Sequence, residues 1–377
     1  EELPAMLLSA AGALREGLVT LARPLAVLAK GLKAKLDKQA ATMDSSTRIR
    51  IEGVLRGLTY RADGLLAAWI GMVSELDVET PEKMVDWFSI ERIDGRELDV
   101  GLHRHWIDPT EPFVETVLDE AHGAVITSAT LRDQTRDAEG NLSDDWQSAE
   151  MRTGALHLAK PPERISLPSP FDYAAKTRVF VVTDVKRTDQ DQVAAAYREL
   201  FRASRGGGLG LFTAVSRLKS VHARIAGPLE EDGISLYAQH IDPMDTGTLV
   251  DIFRAERDSC LLGTDAVRDG VDVPGHALRL IVFDRIPWPR PTILHRARRT
   301  AFGTRSYDDM ITRLRLKQAF GRLVRSRNDY GVFVMLDPMA PSRLMNAFPP
   351  GVTVERLGLA DVIGRTRDFL GKWRQSG

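Results

Sequence analysis

Leu14, Leu18, Leu21, Leu25, Leu28, Leu32 and Leu36 recur at spacings of four and three, and Ile51, Leu55, Leu58, Ala62, Leu65, Trp69, Met72 and Leu76 do the same. Each set marks one face of a long amphipathic helix. Asp44-Ser45-Ser46 supplies an N-cap for the second helix, which at 1.5 Å per residue would run roughly 48 Å from Ser45 to Leu76. Pro24 is expected to kink the first, and an antiparallel hairpin is the simplest arrangement of the pair. From about Pro81 the period changes. Trp87 to Ile93 and Glu97 to His103 read as strands, Glu111 to His122 as a helix, Ala124 to Thr127 as a buried strand, and the polar run 133–150 as a solvated loop or small hairpin.

Beyond it, apolar β-branched runs alternate with helical stretches. The expected strands are Val179 to Thr183, Gly208 to Phe212, Ile234 to Tyr237, Cys260 to Gly263, Arg279 to Phe283 and Gly331 to Leu336. The expected helices are Gln190 to Arg205, Arg217 to Ala226, Asp245 to Ala255 and Tyr307 to Arg325. This alternation predicts an α/β fold, a parallel sheet flanked by helices on both faces.

Composition changes this picture little. With 377 residues, 43% of them hydrophobic, the chain is long enough for two or three domains, and 51 basic against 52 acidic side chains leave the partner's charge open. The single Cys260 excludes an internal disulfide framework and any four-cysteine metal site, and fits a reducing, cytoplasmic setting. The longest apolar stretches, Leu18 to Leu28 and Leu65 to Val73, fall short of ~20 residues, so no membrane contact is expected. Charge is uneven, however: residues 279–328 hold thirteen Arg and Lys against three Asp. Within that stretch Arg296, Arg298 and Arg299, with Arg290, His295 and Arg305 nearby, could follow a nucleic-acid backbone.

Four segments carry the candidate chemistry, and their order matters as much as their content. They are Thr127-Ser128-Ala129-Thr130-Leu131, then Leu211-Phe212-Thr213-Ala214, then the run from Gly263-Thr264-Asp265 through Asp269-Gly270-Val271-Asp272 to Val273-Pro274-Gly275, then Gln318-Ala319-Phe320-Gly321-Arg322-Leu323-Val324-Arg325. Arg322 and Arg325 lie three apart on the expected helix, so both guanidinium forks can enter one cleft, where they suit phosphate oxygens. Gly270, Pro274 and Gly275 hold a loop beyond the strand ending at Gly263-Thr264, the carboxyl end at which open α/β sheets bind ligands.

Together the four segments resemble motifs III, IV, V and VI of superfamily 2 helicases, the Q-x-x-G-R-x-x-R pattern being the most specific. Ser169-Pro170-Phe171-Asp172-Tyr173, Ile286-Pro287-Trp288-Pro289, and Asp329-Tyr330-Gly331 leading to Leu336-Asp337-Pro338 resemble the DinG/XPD group in particular. The resemblance spans about Val125 to Pro338. It implies a RecA-like motor domain at 156–377, a remnant of a first motor domain at 81–155, and an arch-like helical insertion at 1–80. It further implies that Arg322 and Arg325 are catalytic arginines and that Gln318, Gly321, Gly270, Asp269 and Asp272 line an ATP site. Thr127, Ser128, Ala129 and Thr130 would couple nucleotide state to domain movement, and Thr213 would offer its hydroxyl to a nucleic-acid phosphate. This sequence departs from the group at Arg268, where an aromatic is usual, at Asp269, where Glu is usual, and at Ala214, where Ser is usual.

Asp119-Glu120-Ala121-His122 spells a metal-holding DEAH box, but only five residues separate His122 from Ser128. A crossover between parallel strands needs at least about ten to twelve, so the letters are expected to end a helix and no metal ligand is assigned. The chain contains no G-x-x-x-x-G-K-[ST] phosphate loop. The expectation is therefore the C-terminal part of an ATP-dependent DNA helicase. Its own N-terminal motor domain would hold most of the contacts to ATP and Mg2+, an iron-sulfur cluster upstream is left open, and single-stranded or forked DNA is the partner. The resemblance also implies 5' to 3' movement. The alternatives are a non-catalytic single-strand-binding or scaffold module with the same fold, and an RNA helicase.

Overall fold

The computed structural model describes residues 3–39, 42–93, 95–136, 142–270, 273 and 275–374. They fall into two units, 1–107 and 108–377, and the boundary lies inside the segment 81–155.

In the first unit α1 (Ala5–Gln39) continues through Pro24 and packs along α2 (Ser45–Thr59), a π-helical stretch (Tyr60–Leu66) and α3 (Ala67–Ser74). The expected hairpin is present, with the second helix loosened in the middle and ended at Ser74. Asp44 sets its start, accepting the Ser46 hydroxyl at 2.6 Å and the Thr47 amide at 2.9 Å. Those hydrogen bonds, Ser46 first, hold its carboxyl well below the usual carboxylate range. Leu14, Leu21, Val27 and Leu28 stay exposed. By length and composition alone α1, which contains the run Leu18 to Leu28, is apolar enough to cross a membrane. β1 (Met84–Ile93) and β2 (Arg96–Trp106) form an antiparallel hairpin, with Arg104 bonded to Asp86 at 2.8 Å and to Glu75.

The second unit opens with α4 (Thr110–Phe113), which relaxes into a π turn (Val114–Leu118). The helix expected to His122 thus ends early, and Asp119, Glu120, Ala121 and His122 occupy exposed turns and coil beyond it. Ala124 to Thr127 forms no strand. Val125 is 92% and Ile126 44% exposed, because no strand lies beside them among the described residues to complete a ladder. A small hairpin follows, β3 (Asp133–Arg136) and β4 (Leu142–Asp145), then α5 (Gln147–Thr153). This is the small hairpin expected as one of two alternatives for 133–150, but it is not wholly solvated, since Asp133 is buried.

The remainder is the predicted sheet. α6 (Tyr173–Lys176), capped by Asp172, feeds β5 (Thr177–Val182), and then come α7 (Gln190–Ser204), β6 (Gly208–Leu211), α8 (Val215–Glu231), β7 (Leu236–Ala238), α9 (Thr246–Ala255) and β8 (Cys260–Gly263). α10 (Asp265–Gly270), β9 (Leu280–Phe283), α11 (Ile293–Phe302), α12 (Thr304–Phe320), β10 (Gly331–Met335), β11 (Val354–Leu357) and α13 (Leu359–Arg374) complete it. The order is β11-β5-β10-β9-β6-β8-β7, all neighbours parallel. Period-2 alternation sends Val179, Val181 and Ile281 to one face with Phe253 of α9 and Leu316 and Phe320 of α12. Phe180, Val182 and Val282 go to the other face with Tyr197 of α7, Leu218 of α8 and Val362 of α13.

At the amino-terminal edge of this sheet Arg279 is 1% exposed. Its guanidinium donates to the carbonyls of Ser204 (3.0 Å), Arg205 (2.5 Å), Arg257 (3.0 Å) and His276 (2.6 Å) and to the Asp258 carboxylate (2.7 Å). Glycine is required alongside: a Cβ at Gly207, φ +62, would meet Arg279 Nη1 at 2.4 Å, and one at Gly206, φ +83, would meet the Asp258 carbonyl at 1.9 Å. Arg279→Met should strip several buried carbonyls of their donor and cost about 3 to 5 kcal/mol in urea unfolding, and a loss below about 1 kcal/mol would refute this assignment.

Candidate functional site

The ends of the parallel strands define two edges, and the structure divides the sequence-predicted site residues between them. At the carboxyl edge Thr213, half-buried, follows β6. It precedes the start of α8, where Ala214 is the N-cap and no side chain caps the first amides. Such a helix start presents unpaired N–H groups to an anion. The neighbourhood is fixed by Arg217 of α8, which forms a bidentate buried pair with Asp284 at the end of β9, 2.6 and 2.5 Å. That hydrogen-bonded partner raises the Arg217 pKa. Thr264, after β8, is held at this edge by Gln239 Oε1, 3.0 Å from its amide and 2.9 Å from its hydroxyl.

Residues 265–270 were expected to be part of a loop at this same edge. They form α10 instead, which carries the chain away from the carboxyl edge toward the start of β9. Buried Arg268 pairs with Asp265 at 2.8 Å one turn earlier. Asp269 and Gly270 form the last turn of α10, while Asp272 lies outside the described residues. Gly275, at φ +79, starts a 3-10 turn whose His276 Nδ1 lies 3.2 Å from the Tyr330 hydroxyl. The amino edge therefore joins the segment after α10 to the segment before β10, and Arg322 and Arg325 belong to the latter.

These two arginines are not on one helix face as expected. α12 ends at Phe320 with Gly321 as its cap, because the Leu323 and Val324 side chains turn into the core at 1% and 4% exposure. Arg322 is half-buried and Arg325 exposed, in a turn that Asp329 organises by accepting the Arg325 amide, the Ser326 amide and the Ser326 hydroxyl, each at 2.7 Å. Neither arginine is buried in the lobe's interior. Gln318 is half-buried on the last turn of α12.

Thr127, Ser128 and Ala129 are exposed coil or turn, with Thr130 half-buried. Ser128 Oγ lies 3.1 Å from Thr130 Oγ1 and accepts the Thr130 amide at 3.2 Å. Sequence reasoning missed what holds this segment. Arg152 of α5 donates to the Leu131 carbonyl at 2.6 Å and the Thr130 carbonyl at 3.3 Å, and Lys317 Nζ of α12 donates to the Arg132 carbonyl at 2.9 Å. Arg313 and Lys317 both bond to the buried Asp133, at 2.7 and 3.1 Å. Their i, i+4 spacing on α12 was the available signal, but nothing local points to Asp133.

The basic stretch is largely engaged in the fold. Arg299 pairs with Asp308 at 2.9 Å, and His295 bonds the same carboxylate at 2.8 Å. Arg298 hydrogen-bonds to Tyr307, whose phenol burial pushes upward. Arg296 is exposed. Among the described residues no group of three His, Cys, Asp or Glu could hold a metal. Cys260, its thiol pushed up to about 12 by burial, does not fit cluster ligation.

Residues 197–350 match the family described as the helicase C-terminal domain. A Mycobacterium tuberculosis protein named ATP-dependent helicase DinG is 32% identical over 243 residues, covering 60% of this chain and 34% of that protein. A Bacillus subtilis protein named 3'-5' exonuclease DinG is 28% identical over 267 residues, covering 67% and 27%. Escherichia coli YoaA, named an ATP-dependent DNA helicase, is 27% identical over 240 residues, covering 60% and 35%. The chain thus spans about a third of these relatives' length. A solved structure named XPD helicase superposes with a TM-score of 0.51 at 14% identity, over 81% of this chain and 54% of that one, which shows the shared fold.

Because Arg325 is exposed and its turn is held by Asp329 through backbone and Ser326 groups, Arg325→Ala should change unfolding stability by less than about 1 kcal/mol. Asp329→Ala, which strips three donors of their acceptor, should cost more, and chemical denaturation of both variants distinguishes them.

Proposed function

We propose that this chain, whose residues 197–350 match the helicase C-terminal domain family, supplies the second motor lobe of an ATP-dependent DNA helicase of the superfamily 2 DinG/XPD group, a reading supported by its similarity to a protein named DinG and by the fold it shares with an XPD helicase. In this reading a nucleotide gripped by the protein's own N-terminal motor domain meets the amino edge of the sheet. Arg322 and Arg325 stabilise charge developing on the transferring phosphoryl group, and Gln318, Gly321, Asp269, Gly270 and Asp272 contribute to the ATP site. The carboxyl edge takes single-stranded or forked DNA, Thr213 and the uncapped start of α8 receiving a phosphate. Closure and reopening of the cleft between lobes then steps the protein along the strand, in repair or replication, in the cytoplasm. Mg2+ would bind with the nucleotide, held mainly by the N-terminal motor domain.

The observation that carries this reading is the placement of Arg322 and Arg325 at one edge with the segment after α10, opposite the edge holding Thr213 and Thr264. A lobe sandwiched between a nucleotide and a strand needs both edges furnished, whereas a plain binding module needs one.

Arg322→Ala or Arg325→Ala in the full-length protein should reduce DNA-stimulated ATP hydrolysis by at least about 10³-fold, and wild-type rates in both would remove the assignment. This chain alone, lacking a phosphate loop, should hydrolyse no ATP in a phosphate-release assay.

A further inference from the structure

Asp133 is 4% exposed, and among the described residues Arg313 and Lys317 pair with it and Arg152 feels its charge, three cations around this carboxylate. The cations' remaining partners include backbone carbonyls: Arg132 for Lys317, and Thr130, Leu131 and Ser148 for Arg152. Burial lowers the Lys317 pKa, with Asp133 opposing the shift and Arg313 and Arg152 adding to it. An ion cluster so unbalanced is a poor way to stabilise a fold, because each buried cation carries a desolvation cost that one shared carboxylate only partly offsets. It is a good way to make a contact that can be released.

Its position gives the release a direction. On one side the cluster holds the backbone from Thr130 to Asp133, directly after the exposed Thr127-Ser128-Ala129. On the other, Lys317 stands one turn before the end of α12, and its carbonyl accepts the Gly321 amide at 3.0 Å. Gly321 leads into Arg322. A path therefore runs from Ser128 to Thr130 by hydrogen bond, along the backbone to Asp133, and through its ion pair with Lys317 to the arginine turn, within one unit of the chain.

We propose that Asp133 and Lys317 are positioning residues whose ion pair mechanically links the Thr127–Thr130 segment to the turn bearing Arg322 and Arg325. Arg313 secures Asp133, and Arg152 secures the Thr130 and Leu131 carbonyls. The inference rests on the motor reading for its consequence, but the physical link itself is independent of it. Movement of the segment is passed to the arginines while the pair is intact. When the pair is removed, both ends keep their own chemistry but no longer move together.

The test uses Lys317→Met, Lys317→Arg and Asp133→Asn in the full-length protein. With Lys317→Met, single-strand-stimulated ATP hydrolysis should stay within about twofold of wild type, while base pairs unwound per ATP fall about fivefold or more, and Lys317→Arg should restore the ratio. Hydrogen exchange gives a second readout: amides 321–325 should exchange at least about fivefold faster in Lys317→Met and Asp133→Asn, and at the wild-type rate in Lys317→Arg. Hydrolysis and unwinding falling by the same factor, or unchanged exchange at 321–325, overturns the proposal. If Asp133→Asn does not fold, Lys317→Met, which removes a cation from a cation-rich cluster, decides. A wild-type protein that hydrolyses no ATP defeats the motor reading instead, and the exchange measurement then decides the link alone.

Discussion

The Arg279 guanidinium is the contact on which the geometry of the amino edge depends. Three chain segments arrive there with carbonyls that accept from it: the end of α7 at Ser204 and Arg205, the approach to β8 at Arg257, and the turn before β9 at His276. Five N–H donors in a fixed plane serve all of them at once, which no neutral side chain could do. The close approach this demands explains glycine at 206 and 207, where a side chain would strike Asp258 or Arg279 itself. Once His276 is fixed, its contact with Tyr330 sets the spacing between the segment after α10 and the arginine turn.

α10 then accounts for how one continuous motif serves two edges. Its six residues, about 9 Å of helix, carry the chain back from Thr264 after β8 toward the level at which β9 begins. The general rule that open α/β sheets bind ligands at their carboxyl ends places Thr213 and Thr264 correctly. It misplaces the later half of the motif, because the rule describes a lobe that grips its own ligand. In the motor proposed above this lobe grips nothing alone. It presents its amino edge to a nucleotide held elsewhere and its carboxyl edge to a strand.

Much of the sheet was legible because parallel strands buried on both faces must be apolar throughout, and Cys260–Gly263 and Leu280–Phe283 are. Helix starts were legible where a carboxylate caps them, as at Asp44 and Asp245. The errors have physical causes. Gln318 to Arg325 scores as helix on local pattern, but burial of Leu323 and Val324 turns the backbone after Gly321, so tertiary packing overrides propensity. Val125 and Ile126 read as a core strand, yet a strand exists only with a neighbour to pair with. α11, β11 and α13 were not foreseen. Asp133 was assigned to solvent because its partners lie some 180 residues away on α12, a distance no local window spans.

In the basic stretch 279–328 several of the cations have partners inside the fold. Arg279 supports the edge, Arg299 answers Asp308, Arg313 and Lys317 answer Asp133, and Arg315 donates to the Pro287 carbonyl at 2.9 Å. Arg290, Arg296, Arg305, Arg325 and Arg327 stand exposed. Guanidinium groups already neutralised or spent on carbonyls release no counterions when a phosphate approaches, so their contribution to nucleic-acid affinity is small. In the motor proposed above, recognition of a strand by this lobe would lean on oriented dipoles at the carboxyl edge, the Thr213 hydroxyl and the first amides of α8, as well as on its exposed cations. A motor has reason to be built this way, since dipole contacts are short-ranged and break with a small displacement, whereas a dense field of cations would hold the strand through every stage of the cycle.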